Sequence, residues 1–140
     1  DLRLRVLRVT TIFDIGVLLL GLAVSALMAC GVIAFTENGE KMLAMTPVSC
    51  VMLFGGAVCP RLPFCKHTGL RLPWTVQDED TWNVAHRIVG DISLPVVLFY
   101  IACTWTVPDF EIVTLCAMVF WIGIPGGLSY IFFIKRCTEN

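Results

Sequence analysis

The chain has 140 residues, of which 57% are hydrophobic and 15% are charged, and its mean hydropathy is +0.82. Soluble domains carry about 25% charged residues, and a soluble fold needs polar residues along one side of most elements, which long parts of this chain lack. The composition therefore excludes an ordinary soluble domain and predicts an integral membrane protein, while the net charge of -1 argues against direct nucleic-acid binding.

Four apolar segments are candidates for membrane-spanning helices. They cover residues 11–35, 42–58, 88–107 and 110–134. The first is longer than the apolar region of a secretory signal and no small-residue cleavage site follows it, so we expect it to be a span. The second is near the lower limit of roughly 17 to 25 residues that a crossing needs. We predict an all-α bundle of about four transmembrane helices in antiparallel hairpins, forming a single membrane domain over residues 1–140.

Proline and glycine interrupt the second and fourth spans. The interrupting residues are Pro47, Gly55, Gly56, Pro125, Gly126 and Gly127. Such residues are tolerated in membrane helices where neighbouring helices satisfy the backbone and small side chains allow close approach. We therefore expect kinks and close helix contacts at these positions.

The basic residues predict the orientation in the membrane. With four spans, both termini and the segment 59–87 share one side. That side carries nine of the ten basic residues: Arg3, Arg5, Arg8, Arg61, Lys66, Arg71, Arg87, Lys135 and Arg136. The opposite side carries only Lys41. The positive-inside rule then places both termini and the segment 59–87 in the cytoplasm.

The most polar part of the chain is GLRLPWTVQDEDTWNVAHRIVGD, residues 69–91. Three prolines between positions 60 and 73 prevent a continuous helix before it, so we expect a folded-back loop at the membrane surface. Thr75 is predicted to be a helix N-cap, with Asp78 in the capping-box position. A helix should then start near Val76 and continue into the third span.

Residues on that helix recur at helical spacing. One face carries Trp82, His86 and Gly90, and the neighbouring face carries Glu79, Asn83, Arg87 and Asp91. Arg87 lies where lipid begins, and a charge there is costly unless it is paired. Asp91 and Asp14 are the candidate counter-charges. Simple anchoring of the helix by interfacial Trp, His and Arg side chains is the alternative that the spacing leaves open.

The seven cysteines do not form a recognisable framework. Most lie in or beside apolar runs, where a thiol behaves as a small hydrophobic group. Cys59, Cys65 and His67 fit no standard zinc spacing and lack a fourth ligand. We expect reduced thiols, no metal and no other cofactor.

The stretch PRLPFCKHTGLRLPWTVQDEDTWNVAHRIVG resembles the SdpI/YfhL family of small bacterial membrane proteins. That family has a loop of the type G-x-R-x-P-W-T and an acidic helix start. A tryptophan, a His-Arg or Asn-Lys pair and a glycine two or three residues later follow. The matching positions are Gly69, Arg71, Pro73, Trp74, Thr75, Asp78, Trp82, His86, Arg87 and Gly90. The resemblance covers residues 43–105 and departs at Cys65, where the family usually has asparagine.

The resemblance implies a function. The named member of the family confers immunity to a secreted toxin that collapses the proton motive force, and it holds a transcriptional repressor at the membrane when the toxin is present. We therefore expect a non-enzymatic immunity or signalling protein of the bacterial cytoplasmic membrane. Its expected partners are the lipid bilayer, a peptide toxin and a cytoplasmic transcriptional repressor, with an oligomer as a further option.

Each residue of the motif has a hypothetical role. Gly69 and Pro73 shape the loop, and Arg71 contacts lipid phosphate or the helix bundle. Trp74 and Trp82 set the depth of the segment at the interface.

His86 and Arg87 are expected to face the bundle, with Asp91 or Asp14 as the counter-charge. Three other functions stay open: a small proton-coupled transporter or a membrane enzyme using His86 and Arg87, or an accessory subunit of a membrane complex. Against an enzyme, the sequence has no nucleophile placed beside a base, no metal-ligand cluster and no nucleotide loop.

Overall fold

The protein is described here by a computed structural model that covers residues 2–64 and 69–140. It is built of long helices, and the described residues contain no strand. In chain order the elements are α1 (Leu2–Ala29), α2 (Glu37–Val58), a short 3-10 helix (Cys59–Arg61), α3 (Glu79–Thr106) and α4 (Phe110–Glu139). All four α-helices are long and apolar enough to cross a membrane. The predicted all-α class with four candidate spans is therefore confirmed.

Helix α1 ends six residues before the predicted limit of the first span. Gly31 has a φ of 71°, and its N–H donates to the Met28 carbonyl at 3.0 Å. The Val32 N–H donates to the Leu27 carbonyl at 3.0 Å. These two bonds form a Schellman motif, which ends a helix at a left-handed glycine even where apolar residues continue.

Helix α2 begins at Glu37, five residues before the predicted start of the second span. The Thr36 hydroxyl accepts a hydrogen bond from the Gly39 N–H at 3.3 Å, which makes Thr36 the N-cap. Glu37 and Lys41 form an ion pair at 3.5 Å across the first turn. Polar residues therefore belong to the helix as well as to the preceding loop.

The chain divides into two compact units, one ending at Pro47 and the other beginning at Val48. In the second unit, α3 packs along α4, and the 3-10 helix packs against α3. The buried face of α3 consists of Thr81, Trp82, Ala85, His86, Val89, Ser93, Val97, Tyr100 and Thr104. Many other apolar side chains on α3 and α4 are exposed, as expected for surfaces that lie in lipid.

Two side-chain hydrogen bonds join α3 to α4. The indole N–H of Trp121 donates to the Ser93 hydroxyl at 2.8 Å, and Ser93 donates to the Val89 carbonyl at 2.5 Å. The hydroxyls of Tyr100 and Thr114 are 2.8 Å apart. Polar bonds between helices stabilise packing in lipid, where a buried unpaired group is costly.

The expected close contacts occur at several of the glycines. A Cβ on Gly56 would overlap the Ser93 side chain, and a Cβ on Gly55 would lie 2.9 Å from the Trp121 ring. At Gly127, in contrast, such a Cβ would meet no described atom within 4 Å beyond the adjoining turns of its own helix. Pro47 and Pro125 lie inside continuous helices.

Candidate functional site

The loop 69–78 begins directly above the imidazole of His86. Gly69 has a φ of 89°, which glycine adopts without strain. A Cβ at this position would overlap Nε2 of His86, so only glycine allows the approach. The next N–H, that of Leu70, donates to His86 Nε2 at 3.0 Å.

His86 is buried and both of its ring nitrogens are engaged. Nε2 accepts the Leu70 N–H, and Nδ1 lies 2.8 Å from the Trp82 carbonyl. Because a carbonyl can only accept, the two contacts assign the proton to Nδ1 and make the ring the neutral tautomer. The imidazole also stacks on Trp82, with 4.0 Å between the ring centroids. His86 therefore connects the loop to α3.

Thr75 closes the loop on itself. Its hydroxyl donates to the Leu70 carbonyl at 2.8 Å and accepts the Leu72 N–H at 2.9 Å. The predicted N-cap role of Thr75 and a helix start near Val76 are therefore wrong. The hydroxyl is used within the turn, and no helical backbone begins beside it.

Asp78 is the N-cap of α3. Its carboxylate accepts hydrogen bonds from the Thr81 N–H at 3.0 Å and from the Thr81 hydroxyl at 2.6 Å. These bonds, with the nearby Arg136 guanidinium, hold the pKa of Asp78 below its usual value, the Thr81 hydroxyl being the largest contribution. The helix starts at the next residue, Glu79.

Arg136, in the last turn of α4, pairs with the acidic start of α3. Its Nη1 lies 3.4 Å from Asp78 Oδ2, and it also donates a hydrogen bond to Asp80. The sequence favoured a helix-start role for these acidic residues and did not predict Arg136 as their partner. Their partner lies more than 50 residues further along the chain, where no local pattern could reveal it.

Trp74 attaches the loop to α4. Its indole N–H donates to the Ser129 hydroxyl at 3.0 Å, and its ring lies 4.8 Å from that of Tyr130. Ser129 in turn donates to the Gly126 carbonyl at 2.9 Å. Trp74 was expected to set the depth of the loop, and the structure adds a specific partner for its N–H.

The other motif residues fall into two groups. Gly90 lies against the 3-10 helix, where a Cβ would overlap the ring of Pro60. Arg71, Pro73 and Arg87 are exposed. His86 and Arg87 were both expected to face the bundle, but the structure buries only His86.

The candidate counter-charges are not paired with Arg87 in the second unit. Asp91 is exposed, and Arg87 forms no ion pair with any described residue from Val48 onward. Asp14 lies in α1 and is exposed, and its role as counter-charge stays a prediction.

Of the three residues considered as zinc ligands, the structure describes only Cys59. Cys65 and His67 lie outside the described residues, as does the departure from the family pattern at Cys65. Cys59 is half-buried and is the first residue of the 3-10 helix. In the part of the chain that the structure describes, no three His, Cys, Asp or Glu side chains are grouped as metal ligands would be.

Comparison with known proteins gives one match. The model of the SdpI/YfhL protein family matches residues 62–134, just over half of the chain. The matched range contains the described loop, α3 and most of α4. No curated protein and no solved structure matches the chain significantly.

Proposed function

Because the chain belongs to the SdpI/YfhL family, we propose that this multi-pass membrane protein is a non-enzymatic immunity or signalling protein. It protects the producing cell from a secreted membrane-active toxin and recruits a cytoplasmic repressor. The loop 69–78, fixed on α3 and α4, is the observation that carries this proposal. Its premises are the family match and the four helices that are long and apolar enough to cross a membrane.

The attachment of loop 69–78 to α3 and α4 supports its role as a recognition surface. Leu70 is bound to His86, and Trp74 is bound to Ser129, so each half of the loop has its own attachment. Side chains between these attachments, such as the exposed Arg71, are presented from a fixed backbone. A preorganised surface loses less conformational entropy when it binds a partner. Anchoring at the interface would not require these bonds.

The bonds of His86 weigh against proton transfer as the main function. A proton carrier must exchange protons with water or substrate, but Nδ1 and Nε2 of His86 both face backbone groups. The imidazole is 1% exposed. The transporter and enzyme alternatives, which relied on His86 together with Arg87, are therefore less well supported than recognition.

A survival assay tests the immunity proposal. A sensitive bacterium expresses the chain and is challenged with a depolarising peptide toxin. The parent should protect, and Arg71→Ala, a change on the exposed part of the loop, should lower survival about tenfold, as expected when binding weakens by about 1.4 kcal/mol. The matched control is Arg8→Ala, which removes an exposed arginine from α1 and should protect like the parent.

Membrane levels decide how the result is interpreted. His86→Ala should lose protection together with protein level, because it removes the acceptor of the Leu70 N–H and empties a buried position in α3. Full protection by Arg71→Ala would exclude this residue from the recognition surface. A parent that inserts normally but protects against no toxin would overturn the immunity proposal and favour an accessory subunit. Co-purification of a DNA-binding repressor tests the signalling function separately.

A further inference from the structure

Helix α3 carries an exposed polar stripe at a spacing of four residues. The α3 polar stripe consists of Glu79, Asn83, Arg87 and Asp91, all exposed. The same face continues toward the far end of the helix with Leu94 and Leu98, which are 57% and 60% exposed. The face therefore changes from charged to apolar along the helix.

Part of the α3 polar stripe lies at the depth of the lipid chains. Helix α3 has 28 residues and is about 42 Å long, whereas the hydrocarbon layer is about 30 Å thick. Counted back from Thr106, at the end of α3, that layer reaches about 20 residues, to Arg87. Asp91 then lies about 6 Å deeper. An arginine can extend toward the surface, but the short aspartate side chain cannot.

Asp91 offers two acceptors that lack donors in its own helix. Its carboxylate forms no ion pair with any described residue of the second unit. Its backbone carbonyl would normally accept from residue 95, but that residue is Pro95, which has no N–H. A guanidinium carries five N–H donors and suits this combination.

We infer that the α3 polar stripe binds a second copy of this chain, with Arg87 of each copy on Asp91 of the other. Two copies in one membrane share an orientation, so a two-fold axis along the membrane normal makes their α3 helices parallel. Arg87 and Asp91 are separated by about 6 Å along the axis. The Arg87 side chain is long and flexible enough to span this offset by turning toward the C-terminal end of the helix, whereas the short Asp91 side chain stays near its own level.

The charge pattern selects a second copy over other occupants. A lipid phosphate would attract Arg87 but would be repelled by Glu79 and Asp91. An acidic peptide would meet the same repulsion. A second copy satisfies the base and the acid together, and the two identical pairs form where a low dielectric strengthens each interaction.

Charge exchange between two tagged copies tests the interface without any toxin. Copies with different tags are co-expressed, extracted in mild detergent and co-purified. The Arg87→Asp variant should lose co-purification with itself about tenfold, and so should Asp91→Arg, because like charges then face each other. Mixing the two variants should restore co-purification, since the acids of one copy meet the bases of the other. Asp109→Arg, an exposed change in the loop between α3 and α4, should have no effect.

Each other outcome overturns the proposal. Parent-like co-purification of both single variants would show that the α3 polar stripe is not the interface. Loss with Arg87→Asp but not with Asp91→Arg would indicate another partner for Arg87, such as Asp14 or a lipid phosphate. If either reversed charge prevents insertion, the milder Arg87→Gln and Asp91→Asn variants must still weaken co-purification. The result is independent of the survival assay, because it needs neither toxin nor repressor.

Discussion

The carboxylate of Asp78 joins the start of α3 to the end of α4. It accepts two hydrogen bonds from Thr81 and lies 3.4 Å from the Arg136 guanidinium. Since these groups favour the ionised form, the pKa of the folded protein's Asp78 is lowered from its usual value. The ionised carboxylate of Asp78 therefore stabilises the folded protein more than the protonated carboxyl does.

Acid should weaken this contribution in a defined direction. An unfolded aspartate has a pKa of about 3.9, so the stabilisation is complete above that pH and is lost as the pH falls through the lower folded pKa. Asp78→Asn keeps an N-cap acceptor but has no charge. We expect the thermal midpoint of the parent to fall more than that of Asp78→Asn between about pH 6 and about pH 3.

The stability change expected for Asp78→Asn is small, because the Asp78–Arg136 ion pair is partly exposed. At about pH 6 the Asp78→Asn variant should be less stable by no more than about 1 kcal/mol, because partly exposed ion pairs contribute little. Asp109→Asn, whose parent side chain makes no cap bond, should match the pH response of the parent. Equal acid responses of Asp78→Asn and the parent would show that Asp78 is not a source of the pH dependence.

At single residues, the sequence predicted which side chains share a helix face better than it predicted their partners. The four-residue spacing correctly put Trp82 and His86 on one face, and both are buried. Thr75 was predicted to be the N-cap of α3, but its hydroxyl bonds within the turn, and Asp78 caps the helix instead. Ser129, the partner of Trp74, is 55 residues away, beyond any local pattern.

Among the helices, the contact of α2 with α3 depends on Gly56. A Cβ on Gly56 would overlap the Ser93 side chain, whose hydroxyl accepts the Trp121 N–H. Gly56→Ala should therefore displace Ser93 and weaken its bond to Trp121. Overpacking of this kind costs about 1–3 kcal/mol.

A thermal unfolding series in detergent checks the packing at Gly56. The Gly56→Ala variant should unfold at a lower temperature than the parent. Gly123→Ala is the matched control, since no atom beyond the adjoining turns of its own helix lies within 4 Å of a Cβ there among the described residues. An unchanged midpoint for Gly56→Ala would mean that the helices separate at little cost.

The existence of the helices followed from hydropathy, but their ends did not. Apolar residues continue beyond Ala29, yet the left-handed Gly31 ends α1 there. The charged residues after Thr36 appeared to belong to a loop, yet the Thr36 cap includes them in α2. Helix ends depend on a few backbone bonds, whereas hydropathy averages over a window of residues.

For the whole molecule, the charge distribution predicts the topology. Nine of the ten basic residues lie on the side that carries both termini and the segment 59–87, if all four helices cross. A fluorescent protein fused after Asn140 should therefore fluoresce, because it folds in the cytoplasm. An alkaline phosphatase fused in the loop after Phe35 should be active outside. The reverse pattern would place the polar segment on the outer face and would exclude binding of a cytoplasmic repressor.

The close passage of Gly69 over His86 also has an evolutionary consequence. No atom can be added at position 69 without striking the imidazole, and a shorter side chain at position 86 would leave the Leu70 N–H without its acceptor. Substitutions at the two positions should therefore be coupled in descendants of this gene. Replacement of the histidine should therefore follow changes in the loop that give the Leu70 N–H another acceptor.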